Sequence, residues 1–141
     1  MGEMYTERLL DHYRRPRNKG QLAGADTSTV SGQVLAAHEY NPLCGDEVTF
    51  EVLIDSDRIK DARFDGRGCA LCMGAASILT EAVQGRTLEK LASFGKDEYL
   101  HELGSVVRPA RLRCALLPWM AFRHAVFGED DWPLLENGSE E

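Results

Sequence analysis

Between Val48 and Gln84 the apolar residues of this chain change period once, which limits it to folds that carry an antiparallel hairpin and helices together. Val48, Phe50, Val52 and Ile54 recur at every second position and share one face of a strand. Asp55-Ser56-Asp57 is turn chemistry, and Ile59 to Phe64 can return as the antiparallel partner, with Gly66 and Gly68 closing the hairpin. From Cys69 to Gln84 the period becomes helical. Leu71, Ala75, Ile78, Leu79, Ala82 and Val83 form one apolar stripe, and Gly85 stands where a C-terminal cap glycine belongs.

The flanking segments extend this pattern. Met4 to Tyr13 predicts an amphipathic helix, with Tyr5, Leu9 and His12-Tyr13 at i, i+4, i+7 and i+8, and Pro16 ends it. Asn18 to Thr29 has the composition of a loop, and Val30 to Tyr40 is a further candidate strand. Short helices are expected at Thr87–Ser93 and Lys96–Leu103. The last helical region starts at Pro109, a favoured first-turn residue, and carries Leu112, Ala115, Leu116, Trp119, Phe122 and Val126. Pro118 is expected to kink it or to begin a second helix, because an interior proline costs ~3 kcal/mol. The 141 residues suit one domain, 1–128, followed by an acidic tail, 129–141, in which Trp132, Leu134 and Leu135 can dock.

Charge and cysteine content narrow the function. The formal net charge is −7, and the one local basic cluster, Arg14-Arg15-Pro16-Arg17, reads as a solvated face, so no nucleic-acid partner is expected. The polar start, Met1 to Tyr5, has no apolar core of signal-peptide length, and no stretch has the length of a membrane span. A cytoplasmic location without a membrane partner is therefore expected. In a reducing compartment, four cysteines are metal ligands or reactive thiols rather than disulfides.

Three of those cysteines stand at the ends of elements. Cys44 lies in a turn before a strand, Cys69 opens a helix after Gly66-Arg67-Gly68, and Cys114 falls in the first turns of the last helical region. A metal ligand needs a deprotonated, reachable thiolate, and a helix N-terminus favours one. Cys72, at i+3 from Cys69, is read as a small buried side chain; the alternative is an auxiliary thiol that accepts sulfur or replaces Asp46. Spacing alone allows a zinc or an iron site and does not choose between them.

Four segments carry a family resemblance. Leu10-Asp11-His12-Tyr13-Arg14-Arg15-Pro16-Arg17-Asn18 resembles the opening signature of the U-type iron–sulfur scaffold family, which includes IscU, SufU and the N-terminal domain of NifU. Asn41-Pro42-Leu43-Cys44-Gly45-Asp46, Phe64-Asp65-Gly66-Arg67-Gly68-Cys69-Ala70 and Pro109-Ala110-Arg111-Leu112-Arg113-Cys114-Ala115 resemble its three cysteine segments, in family order. The third is most like the SufU branch.

The resemblance implies an α+β fold: an N-terminal helix, a three-stranded antiparallel sheet and helices packed on one face. It implies Cys44, Asp46, Cys69 and Cys114 as metal and cluster ligands, with Cys114 as candidate sulfur acceptor. It implies a transient [2Fe-2S] cluster or Zn2+ at the site, and a cysteine desulfurase and apo iron–sulfur acceptor proteins as partners. The function implied is that of a non-enzymatic scaffold that receives sulfur, assembles a cluster and passes it on. The alternative is a zinc-dependent persulfide carrier, a sulfurtransferase. Thiolates are the usual ligands of such clusters, and one harder carboxylate among them leaves one iron less firmly held, which suits release. The same donors also fit tetrahedral zinc.

The chain departs from the family pattern in three places. Arg113 stands where the IscU branch has histidine, and its fixed charge is expected to favour the Cys114 thiolate. The stretch from Gly85 to Pro109 is short for the SufU branch. Val107-Arg108-Pro109-Ala110-Arg111 does not match the Leu-Pro-Pro-Val-Lys motif by which IscU docks its chaperone. Among the histidines, His12 is expected to be packed, His38 to be exposed or to approach the Cys44 loop, and His101 and His124 to lie on helix surfaces.

Overall fold

The computed structural model describes residues 5–22 and 32–129. Helix α1, Glu7–Arg14, starts at Thr6, whose side chain accepts from the Leu9 N–H, so the first turn is capped as an N-cap threonine should cap it. Three strands follow, β1 Gln33–Tyr40, β2 Glu47–Asp55 and β3 Arg58–Arg67. They form one antiparallel sheet in the order β1-β2-β3. Helices α2, Ala70–Val83, α3, Leu88–Ala92, and α4, Lys96–Leu103, lead through a single 3₁₀ turn at Pro109–Arg111 into α5, Leu112–Phe127. This is the expected α+β class. No helix among the described residues is long and apolar enough to cross a membrane.

The alternation in β2 does what period two dictates. Val48, Phe50 and Val52 are fully buried, together with Ala62 and Phe64 of β3. Ile54 leaves this pattern. The register shifts between Leu53 and Ile54, Lys60 is left without a partner on β2, and at the shift Leu53 is buried while Ile54 is only half-buried. Helix α5 covers β1 and β2, and α2 covers β3. The outer edge of β3 is occupied by the chain after α1: Gly20 donates to the Phe64 carbonyl and Phe64 donates to the Asn18 carbonyl.

Helix α2 is buried beyond its predicted stripe, from Leu71 through Thr80, because α1 lies against the side the sheet leaves open. Close approach depends on Gly74, where a Cβ would stand 2.8 Å from the Leu9 carbonyl oxygen. His12, buried on the same helix pair, hydrogen-bonds the Ser77 hydroxyl through Nδ1 at 2.7 Å. The packed role expected for His12 is the one it has.

Helix α5 decides between the two alternatives for Pro118. It runs as a single helix through Pro118, which is itself buried, and no second helix begins there. A proline has no N–H to donate to the carbonyl one turn back, here that of Cys114. The next carbonyl, of Ala115, accepts the buried Tyr99 hydroxyl, and Trp119 donates to the Phe94 carbonyl at 3.2 Å. Packing against α3 and α4 thus supplies partners around the proline. The docking expected of Trp132, Leu134 and Leu135, like the acidic tail beyond Glu129, lies outside the described residues.

Candidate metal centre

Cys44 sits on the loop joining β1 to β2, and Asn41 shapes that loop. The buried Asn41 donates its backbone N–H to the Asp46 carbonyl at 2.9 Å and accepts from Gly45 N–H at 2.8 Å. Its side-chain oxygen takes the Leu43 N–H at 3.1 Å. Gly45 turns the chain with φ +79°, a left-handed conformation that glycine adopts without steric cost. The result presents Leu43, 83% exposed, and the Cys44 thiol to solvent, while Asp46 is drawn inward to 6% exposure.

Cys69 is the residue before the first turn of α2, in extended backbone (φ −70°, ψ 169°). Cys114 lies in the first turn of α5 and is 6% exposed. Loop and α5 start converge: one donor atom each from Cys44, Asp46 and Cys114 lie within 4.8 Å of one another, and the Cys44 and Cys114 sulfurs are 3.6 Å apart. Cys69 is outside that tight set but lines the same cleft, of about 660 Å³, with Leu43, Pro109, Ala110, Arg111 and Arg113. One carboxylate oxygen of Asp46, Oδ2, is buried with no hydrogen-bond partner. A buried, unpaired acceptor beside two thiols is the arrangement a cation would complete.

Arg111 is the residue the sequence reading passed over. Its guanidinium donates to the Cys69 sulfur at 2.9 Å. Cys114, and after it Cys69, hold the Arg111 pKa above its usual value against a smaller opposing effect of burial. Sequence reasoning assigned the favourable charge to the adjacent Arg113. The signal for Arg111 was its position, one helical turn before Cys114, where side chains meet. The expected gain in Cys114 thiolate does not appear either: burial, then the hydrogen bond its thiol shares with Cys44, push its pKa up to about 12, and Arg111 offsets this only in part.

Cys72 is fully buried behind the cleft, and burial followed by the Asp46 charge raises its pKa well above the usual thiol value. His38 does not join the site; it pairs with Glu47 at 3.0 Å. His124 lies on the surface of α5 as expected, its side chain 39% exposed, and Nδ1 meets Glu39 of β1 at 3.0 Å.

The zinc-dependent sulfurtransferase SufU of Bacillus subtilis (strain 168) is 32% identical over 144 residues, covering 90% of this chain and 92% of its own length. The iron–sulfur cluster assembly scaffold protein IscU of Escherichia coli (strain K12) is 32% identical over 123 residues, covering 86% of this chain and 91% of its own. The crystal structure of a nitrogen-fixing NifU-like protein (N-terminal) from Brucella abortus shares the fold, with a TM-score of 0.66 at 22% identity over 87% of this chain and 92% of that one. The family described as NifU-like N terminal domain matches residues 4–129, and the chain belongs to it.

Proposed function

We propose that this chain is a scaffold for iron–sulfur cluster assembly, with Cys44, Asp46, Cys69 and Cys114 as the residues that hold the cluster before it is passed on. The observation that carries this reading is the convergence of Cys44, Asp46 and Cys114 donors within 4.8 Å, with Cys69 on the same cleft. The cluster is cargo here. Thiolates bind it strongly, and the one carboxylate is the harder, more easily surrendered ligand. Cys69 joins as ligand when Arg111 lets go of its sulfur.

Sulfur arrives from a cysteine desulfurase as a persulfide. The exposed Cys44 is the first thiol it meets. The Cys44 thiolate attacks the terminal sulfur, a new S–S bond forms, and the donor cysteine leaves as thiolate. Cys114, 3.6 Å behind, then takes the same sulfur by the same exchange, with Cys44 as the leaving thiolate. Apo iron–sulfur proteins are the acceptors, and the cytoplasm is the compartment in which free thiols of this kind persist.

A second reading is a zinc-dependent sulfur relay, in which the same four residues hold Zn2+ and one thiolate carries persulfide. It is favoured by Arg113, which removes the histidine of the IscU branch, and by the likeness to SufU of Bacillus subtilis. Anaerobic purification followed by metal analysis, acid-labile sulfide and a visible spectrum separates the two. Iron with sulfide, and transfer to an apo-ferredoxin, support the scaffold. Stoichiometric zinc without sulfide, and persulfide on a thiol after incubation with desulfurase and cysteine, support the relay. Neither metal at the four residues overturns both.

A further inference from the structure

We propose that Gly68 is a positioning residue for Asp46: it lacks a side chain so that the carboxylate can lie against the backbone just before α2. This rests on the reading of Asp46 as a ligand and adds what fixes that ligand in place.

The sheet register brings the two together. Glu47 of β2 pairs with Arg67 of β3, the last pair at that end of the ladder. Asp46 and Gly68 are the next residues outward, one on each chain, and so face each other. A Cβ placed at Gly68 would stand 2.9 Å from Asp46 Cγ, 3.2 Å from its Cβ and 3.2 Å from its Oδ1. The three nearest atoms all belong to the Asp46 side chain.

The backbone does not explain this glycine. Gly66, two residues earlier, has φ +146° and a Cβ there would meet the Glu47 carbonyl oxygen at 2.1 Å, so conformation and backbone both require it. Gly68 has no left-handed φ, and the nearest atoms a methyl group would meet there are those of the Asp46 side chain. Asp46 in turn has little else to hold it. It is 6% exposed and its Oδ2 has no hydrogen-bond partner, so packing sets its place. Functional groups must be held within about 0.5 Å of their working geometry, and a methyl group at position 68 exceeds that tolerance for the one oxygen ligand of the site.

Cobalt(II) titration of the reduced, metal-free protein tests this, read by thiolate-to-cobalt charge transfer and by the d–d bands, which report the ligand set. Gly68→Ala should bind Co2+ about 10- to 100-fold more weakly than wild type, the usual loss for an outer partner of a ligand, and its d–d bands should move toward those of Asp46→Ala. The double variant Gly68→Ala/Asp46→Ala should bind no more weakly than Asp46→Ala alone, because both changes remove the same ligand. Wild-type affinity and bands in Gly68→Ala, or a loss that adds in full to that of Asp46→Ala, overturn the proposal. If Gly68→Ala does not fold, thermal melting of the double variant decides. A folded double variant locates the conflict at the carboxylate and supports the proposal; an unfolded one overturns it. Absence of a cobalt–thiolate band in wild type defeats the metal-site reading itself, and the positioning role with it, an outcome distinct from an insensitive Gly68.

Discussion

The sulfurs of Cys44 and Cys114, seventy residues apart in sequence, lie 3.6 Å from each other in one cleft. A disulfide needs ~2.05 Å between sulfurs, and the exposed loop that carries Cys44 is the partner free to close the gap. Treatment of the metal-free protein with hydrogen peroxide should therefore join this pair. Two thiols lose two electrons and two protons, and the peroxide is reduced to two waters. Peptide mapping should find 44 linked to 114, and prior loading with Zn2+ should slow the reaction. A dominant link between Cys69 and Cys72 would contradict the geometry.

Asp46→Ala should slow delivery of an assembled cluster to an apo-acceptor by roughly tenfold, equivalent to about 1.4 kcal/mol on the barrier. The labile oxygen ligand would be gone and a firmer or solvent ligand would stand in its place. A transfer time course with equal cluster loading measures it, and unchanged or faster transfer would count against the weak-ligand argument.

Cys72→Ser should keep metal binding, whereas Cys69→Ser should lose it. The thiol at 72 is enclosed behind the cleft, so serine there buries a hydroxyl and lowers stability by about 1–3 kcal/mol without touching a ligand. Parallel metal titration and urea unfolding of the two variants separate the effects. Equal loss of binding in both would make Cys72 a ligand.

Gly74→Ala should destabilise the fold. Alanine is the better helix former by ~1 kcal/mol, but a methyl group there meets the Leu9 carbonyl oxygen at 2.8 Å and the Leu9 side chain at 2.9 Å. Overpacking against backbone costs about 1–3 kcal/mol and should win, prying α1 from α2. Urea unfolding of the variant checks the sign.

His12 gives the fold a pH dependence. Burial, then the Arg17 charge, lower its pKa from 6.5, so the unfolded chain takes up this proton at a higher pH than the folded one. Stability from this group is full above 6.5 and is lost as pH falls below that value toward the depressed folded pKa. Glu81, 3.6 Å from Nε2, only partly opposes the shift. Melting temperatures of wild type and His12→Gln, compared from pH 7.5 to 5, should converge as the pH drops. A constant gap would exclude the linkage.

Much of this was legible in the sequence, and the failures have physical causes. Alternation through Val48, Phe50 and Val52 located β2 because one face of the strand is dry and the other is not. It failed at Ile54, where an extra residue on the neighbouring strand moves the register, and no pattern within β2 encodes that. The second helix allowed for at Pro118 did not form, because the local cost of a proline is visible in sequence while the contacts that Tyr99 and Phe94 make beside it are not. Cys44, Asp46 and Cys114 were singled out from their motifs, but their 4.8 Å convergence is a property of two segments far apart in sequence, the β1–β2 loop and the start of α5. Arg111 was missed for the same reason that Arg113 was chosen: adjacency along the chain was weighed above the turn of a helix.

The donors of this site come from a hairpin loop and from the starts of two helices, so whatever fills it bolts three parts of the molecule together. By mass action, a ligand at a hundred times its dissociation constant adds about 2.7 kcal/mol to the folded state, a sizeable share of what holds a domain of this size. In a scaffold that gives its cluster away, delivery and loosening are then one event. Each round of transfer removes one tie between the hairpin loop, α2 and α5, leaving only their packing to hold them, and the empty protein should be the form that proteases attack first.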